Sequence, residues 1–252
     1  MSTGFSLAGR AVAVTGAGRG NGRAIALALA RLGAYVHVLD IDSALASQTQ
    51  ALISAAGGRS EFFVVDVGDR SSCHNWVSHH LSPGQPLYGL VNNAGLIVRE
   101  PLTSPTATDN FSKVMDVNLR GAFLMTMACL DSLKQSKGSV VNVASIGSYI
   151  GLIGSVGYSA SKGGLKLLTQ SMACELAPDV RVNAIAPGVI ETDMTKQILA
   201  DADRTNRFLG RIPMKRTGKP EELWGAVAFL LSPLASYVTG ATIPIDGGYL
   251  AG

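Results

Sequence analysis

The stretch Arg10-Ala11-Val12-Ala13-Val14-Thr15-Gly16-Ala17-Gly18-Arg19-Gly20-Asn21-Gly22 decides how this chain is read. Its first residues are apolar and partly β-branched, the pattern of a short buried strand. A glycine turn follows without a break. Arg23 to Leu32 is rich in Ala and Leu and reads as a helix ending at Gly33. Tyr35 to Leu39 is a second strand, closed by Asp40. Strand, glycine turn, helix, strand and acid in this order open a dinucleotide-binding unit. Glycines at 16, 20 and 22 let the backbone turn tightly and approach a pyrophosphate. The helix N-terminus presents free N–H groups and partial positive charge to it. Asp40 lies eighteen residues beyond Gly22, where an acid can accept from the adenosine ribose hydroxyls. That carboxylate suits the 2′-hydroxyl of NAD and repels the 2′-phosphate of NADP. Arg19 argues mildly the other way, and the carboxylate outweighs it, so NAD is the expected cofactor.

The same rhythm runs down the chain. Helices are expected at 44–56, 73–80, 109–135, 157–176 and 220–231. Strands are expected at 61–67, 87–91, 139–144, 181–186 and 241–246, with a turn at Ser82-Pro83-Gly84. Alternating strands and helices without a linker or repeat mean an α/β chain with one doubly wound parallel sheet, a single domain over 1–252. A polar segment at about 190–218 reads as a substrate lid. The polar and glycine-rich turns at Gly16, Asp40, Asp66, Asn92, Ser145 and Gly188 all fall at the carboxyl ends of strands, where ligands bind.

Composition narrows the partners. Charged residues are 15% of 252 and the net charge is only +3 without a basic block, which argues against nucleic acid. So little charge on a 47% hydrophobic chain also implies surface buried between subunits. Cys73, Cys129 and Cys174 are scattered and odd in number, so reduced thiols in the cytoplasm are expected, with neither disulfides nor a metal site. No signal peptide is read at the N-terminus. The uncharged stretch between Lys137 and Lys162 is too rich in Gly and Ser for a membrane span and reads as strand and loop. His79-His80 is expected to be solvated.

Tyr158 and Lys162, four apart on a helix, share a face. A phenol loses its proton near pH ~10, and a neighbouring ammonium lowers that value. The pair is a proton donor and acceptor suited to a carbonyl or alcohol oxygen.

The ordered motifs Thr15-Gly16-xxx-Gly20-x-Gly22, Asp66-Val67, Asn92-Asn93-Ala94-Gly95, Asn118, Ser145, Tyr158-xxx-Lys162 and Pro187-Gly188-xxx-Thr192 resemble the short-chain dehydrogenase/reductase family, in its single-domain branch with a Rossmann fold. The resemblance implies a catalytic set of Asn118, Ser145, Tyr158 and Lys162. Ser145 would hold the substrate oxygen and Tyr158 would exchange the proton. Lys162 would tune Tyr158 and bind the nicotinamide ribose, and Asn118 would tie a water to Lys162. The cofactor would rest on Gly16, Arg19, Gly20, Asn21 and Gly22, with Asp40 on the ribose and Asp66 and Val67 at the adenine. Asn93, Ala94, Gly95, Tyr158, Lys162, Pro187, Gly188, Ile190 and Thr192 would line the remainder; Asn92 would contact the cofactor or brace the sheet. The implied reaction is hydride transfer between NAD(H) and a secondary alcohol or ketone.

Leu96, Ile97, Val98 and 146–153 make the expected pocket largely apolar. The segment 186–194 resembles the ketoacyl-carrier reductases, so an NADPH-dependent 3-oxoacyl-carrier reductase is the alternative, with a sugar or polyol dehydrogenase beside it. Apolar runs at Phe123–Leu133 and Leu165–Leu176, and the uncharged C-terminus, imply burial against further copies in a homotetramer.

Overall fold

A computed structural model describes residues 5–81 and 84–252, without the side chains of 197–198 and 202–204. Of the expected turn at 82–84, Ser82 and Pro83 lie outside the described residues. β1 (Ala11–Thr15) leads into α1 (Gly20–Arg31), β2 (Tyr35–Asp40), α2 (Ser43–Ala55), β3 (Arg59–Val64), α3 (Arg70–His80) and β4 (Leu87–Asn92). Then come α4 (Ala107–Met115), α5 (Gly121–Ala128), α6 (Leu130–Gln135), β5 (Ser139–Val143), α7 (Val156–Leu176) and β6 (Arg181–Pro187). The chain finishes with α8 (Asp193–Leu199), α9 (Ala202–Arg211), α10 (Trp224–Leu231) and β7 (Thr242–Ile245). The strands form one seven-stranded sheet, β3-β2-β1-β4-β5-β6-β7, with every pairing parallel. The order reverses between β1 and β4, which opens a crevice at their carboxyl ends.

The two-residue period of a strand sorts β1 between two cores. Val12 and Val14 face Ile25 and Leu29 of α1 and Leu230 and Leu231 of α10. Ala13 faces the other layer, with Leu90, Trp76, Met125, Leu133 and Met172. Burial on both faces is why these strands read as continuous apolar runs.

Three expected elements differ in detail. The single helix at 109–135 is broken into α4, α5 and α6, with a wider π-turn over Asp116–Arg120. That turn carries Asn118, whose side chain is committed to another loop, and such turns concentrate at functional sites. The strand expected at 61–67 ends at Val64, because the Asp66 carboxylate accepts from Gly68 N at 2.8 Å and closes a local turn. The helix at 220–231 opens as a 3₁₀ turn, Pro220–Glu222, before α10.

His79 and His80 are exposed, as expected, and the His80 ring also lies 4.2 Å from that of Phe63. Tyr249 near the C-terminus is buried within its own chain, with Ile212 and Phe208, rather than held out for another subunit. Among the described residues, no group of His, Cys, Asp and Glu could hold a metal ion, and no helix is long and apolar enough to cross a membrane. All three cysteines are free, and burial pushes the Cys73 thiol up to about 11, away from reactivity.

His37, on β2, is 5% exposed and packs between Tyr35, Phe63 and Trp76 at ring distances of 5.1, 5.7 and 5.6 Å. Its Nδ1 has no hydrogen-bond partner. Burial, helped by the charge of His80, pushes its pKa down to about 4 from 6.5. The unfolded chain therefore binds a proton below pH 6.5 that the folded chain refuses down to about 4. Stability from this residue is complete above pH 6.5 and is lost as pH falls toward 4, by about 3 kcal/mol. Melting temperatures of wild type and His37→Phe at neutral pH and near pH 4.5 check this. The variant should lose distinctly less on acidification, and parallel losses would disprove the assignment.

Candidate active site

The crevice is closed at its base by side chains that tie β1 to β4. Asn93 Nδ2 donates to Thr15 O at 2.9 Å and Gly16 O at 3.0 Å. The Thr15 hydroxyl accepts from the main-chain N–H groups of Asn93 and Ala94, both at 3.0 Å. A Cβ on Gly16 would stand 2.8 Å from Ala94 Cα, and one on Gly22 only 2.2 Å from Gly16 O. Asn93, Ala94 and the glycines thus lock the turn's shape before any ligand arrives. Asn92 donates to Asn142 Oδ1 at 2.9 Å and Thr126 Oγ1 at 3.0 Å, contacts of the bracing role among its two open readings.

A dinucleotide fits this turn. Arg19 stands at the N-cap of α1 in extended conformation and gives no side-chain cap, so the first-turn N–H groups are without one. The buried Asn21 Oδ1 beside them has no protein partner. Asp40 is held by two main-chain donors, Gly18 N to Oδ2 at 2.8 Å and Asp42 N to Oδ1 at 3.0 Å. A Cβ on Gly18 would fall 2.7 Å from Asp40 Oδ2, so only glycine lets the acid lie over the turn. Arg19 leans the other way, toward Asp193 at 3.8 Å, an exposed pair of little energetic weight. Val67 is buried against Gly121.

From β6 the chain turns at Pro187 and Gly188, whose N–H donates to Ile245 O at 2.9 Å. Ile190 bridges to Gly218, and the Thr192 methyl lies 3.5 Å from where a Cβ of Gly20 would be. Thr192 therefore borders the glycine turn from the far side of the crevice, with Ile190 two residues before it.

The four candidate catalytic residues converge. Ser145 lies two residues beyond β5 and is buried; its Oγ accepts from Gly147 N at 3.0 Å. A Cβ on Gly147 would lie 3.5 Å from both Ser145 Oγ and the Tyr158 ring, so both side chains border the same space beside Gly147. Lys162, one turn further along α7, is 4% exposed and donates to Val143 O at 2.7 Å. Loss of water around the ammonium pushes its pKa down to about 8. Contrary to the expectation from the spacing of the pair, the Tyr158 pKa stands above its ordinary value: burial raises it, the Ser145 hydroxyl and the charge of Arg99 oppose this without reversing it, and Lys162 is not among the influences that lower it. Asn118 clamps the main chain of Leu96, accepting from its N–H at 2.8 Å and donating to its carbonyl at 2.9 Å. It also donates to Ser161 Oγ at 3.0 Å, which itself bonds Tyr158 O.

Reading the sequence missed Ser161 and Arg99. Ser161 was visible inside Tyr158-xxx-Lys162 as a small residue of no stated use. Arg99 ends the apolar run after the Asn-Asn-Ala-Gly turn, and a lone cation there carried no signal until the fold brought it near Tyr158.

Comparison with known proteins shows the family. The family model described as enoyl-(acyl carrier protein) reductase matches residues 16–250. A cyclopentanol dehydrogenase of Comamonas sp. is 37% identical over 96% of this chain and 97% of its own. A 3-oxoacyl-(acyl-carrier-protein) reductase of Thermotoga maritima is 38% identical over 96% and 98%. Among solved structures, a gluconate 5-dehydrogenase from Burkholderia cenocepacia, in complex with NADP and tartrate, superposes with a TM-score of 0.94. It is 30% identical and covers 100% of this chain and 99% of that one. The chain belongs to the short-chain dehydrogenase/reductase family, and it is an oxidoreductase of that family.

A methyl at residue 95 would meet two immobile groups. A Cβ on Gly95 would lie 3.2 Å from Asn118 Oδ1 and 3.5 Å from Lys162 Nζ, each already hydrogen-bonded elsewhere. Gly95→Ala should lower kcat by at least about tenfold through displacement of these groups. Steady-state kinetics check this, and an unchanged kcat would mean that the site yields freely.

Proposed function

We propose that this chain oxidises a secondary alcohol, or reduces the corresponding ketone, with NAD(H), using Asn118, Ser145, Tyr158 and Lys162. The observation that carries the reading is that Ser145 Oγ and the Tyr158 ring border the same space beside Gly147, with the buried Lys162 ammonium one helical turn further along α7. Ser145 holds the substrate oxygen against the phenol. Tyr158 takes the alcohol proton during oxidation and returns it during reduction. Lys162 holds the nicotinamide ribose, while Asn118 keeps the Leu96 loop and Ser161 in register and links Lys162 to solvent through a water. Bound nicotinamide dinucleotide supplies the hydride acceptor or donor, and the protein supplies position and proton. Gly16 to Gly22 hold the pyrophosphate, Asp40 the ribose, Asp66 and Val67 the adenine, and Ile190 and Thr192 the carboxamide.

NAD is favoured by Asp40, which its two main-chain donors keep from turning away, so a 2′-phosphate would meet a fixed negative charge. Arg19, engaged with Asp193, is poorly placed to compensate. The NADP in the Burkholderia relative and the carrier-protein relative from Thermotoga support the second reading, an NADPH-dependent ketoreductase or a sugar dehydrogenase. The segment 191–218, two helices over the crevice mouth, acts as the lid.

Phe123, Met127 and Leu167 are 43, 43 and 62% exposed in the single chain, apolar surface on α5 and α7 that a homotetramer would cover. Light scattering should give four times 26.2 kDa, and a monomer mass would exclude it.

Tyr158→Phe should abolish turnover, by about a thousandfold or more, while cofactor fluorescence titration shows unchanged binding. Full activity in that variant would refute the role. In wild type, kcat/KM should be higher with NAD than with NADP, and the reverse order would make Asp40 tolerant of the phosphate.

A further inference from the structure

The segment leaving β6 carries a hydroxyl outside the catalytic set. Thr195 is the third residue of α8. Its Oγ accepts from the main-chain N–H of Thr192 at 3.0 Å and donates to Ile190 O at 2.5 Å. The Thr192 carbonyl, 3.0 Å from the same Oγ, already accepts from the N–H groups of Thr195 and Lys196, both at 3.0 Å. The single proton of the Thr195 hydroxyl therefore goes to Ile190 O. The Thr192 hydroxyl lies 3.4 Å away. One side chain thus touches both residues proposed to hold the carboxamide of the cofactor. We propose that Thr195 is a positioning residue for the nicotinamide, one that acts through Ile190 and Thr192 by fixing the groups with which they grip the carboxamide.

The inference rests on the dinucleotide-dependent dehydrogenase reading and deepens it. Helix capping accounts for only part of the arrangement. A side chain in the first turn that accepts from the N–H of the residue before the helix is a capping contact, and it involves Thr192 N alone. The bond to Ile190 O reaches outside α8 and closes no turn of it. It has a counterpart on the other side of the same peptide, where Glu191 N donates to Gly218 O at 2.9 Å. The peptide between Ile190 and Glu191 is held by Thr195 at its carbonyl and by Gly218 at its N–H, so it cannot rotate without losing two hydrogen bonds. A Cβ on Gly218 would lie 2.6 Å from Ile190 Cδ1, so the pairing of Ile190 with Gly218 needs glycine there. The proton count also sets the polarity of Thr192. With the Thr195 proton on Ile190 O, Thr192 must be the donor between the two hydroxyls, and its lone pairs remain as acceptors. An acceptor matches the NH₂ of a carboxamide and not its oxygen, which gives the ring one preferred orientation. The Thr192 methyl is turned to Gly20, 3.5 Å from where a Cβ there would stand, so the same residue stays against the glycine turn. Hydride transfer depends steeply on the placement of that ring.

The test separates the nicotinamide end of the cofactor from its adenosine end. Wild type, Thr195→Val and Thr195→Ser are titrated with NADH by fluorescence and with ADP-ribose, which lacks the nicotinamide, by calorimetry. Thr195→Val keeps the shape of the side chain and removes the hydroxyl. It should weaken NADH binding by about tenfold and leave ADP-ribose binding within about twofold of wild type. Thr195→Ser restores the hydroxyl and should bind both ligands as wild type does. A wild type that prefers NADPH is compared in the same way, with NADPH and 2′-phospho-ADP-ribose. Unchanged NADH binding in Thr195→Val overturns the proposal and leaves the dehydrogenase reading intact. Equal weakening of NADH and ADP-ribose, or a Thr195→Ser variant as impaired as Thr195→Val, does the same and makes Thr195 a support of α8 alone. A wild type that binds neither NADH nor NADPH overturns the dinucleotide reading and the proposal with it.

Discussion

The structure turns on one buried charge. The Lys162 ammonium is almost wholly removed from water, which disfavours its charged form and brings its pKa to about 8. A cation in that position persists only with fixed acceptors, and Val143 O, the last carbonyl of β5, is one of them. This contact sets how α7 lies against the end of the sheet, and so where Tyr158, one turn earlier on α7, points its phenol. Ser145, two residues beyond Val143, is carried to the same place by the same strand. The catalytic geometry follows from satisfying one desolvated group.

The elements around it are arranged to leave room. Gly95 passes between Lys162 and Asn118, where an added methyl would crowd Asn118 Oδ1 at 3.2 Å, and Asn118 holds the adjoining Leu96 backbone as a neighbouring strand would. Doing so takes Asn118 into a π-turn that interrupts an otherwise continuous helix. The departure from regular helix is thus tied to a side chain with work outside it. On the other side of the crevice, the Thr15 and Asn93 bonds join β1 to β4 at the reversal of strand order, and the glycine turn inherits its shape from them.

Much of this was legible in the chain. β1, the glycine turn, β2 and Asp40 announce themselves because a doubly buried strand must be apolar, and a turn against a pyrophosphate must lack side chains. Tyr158 and Lys162 share a helical face by spacing alone. The π-turn was not legible, because residues 109–135 have continuous helical character and the reason to break it lies in Leu96, distant in sequence. Arg99 and Ser161 were passed over for a related cause: one is a single charge after an apolar run, the other a small residue inside a motif.

By itself the sequence determined the order of elements, the parallel sheet and the chemical kinds of group available at its carboxyl edge, since each of these depends on local period and residue type. Only the tertiary structure decided which groups meet. Asn92 turned inward to Asn142, Asn93 toward the glycine turn, and Arg99 toward α8, although all three lie within eight residues of one another. Neighbours in sequence take separate roles here because successive side chains leaving a strand point to different sides, and burial against distant residues fixes which side becomes the site.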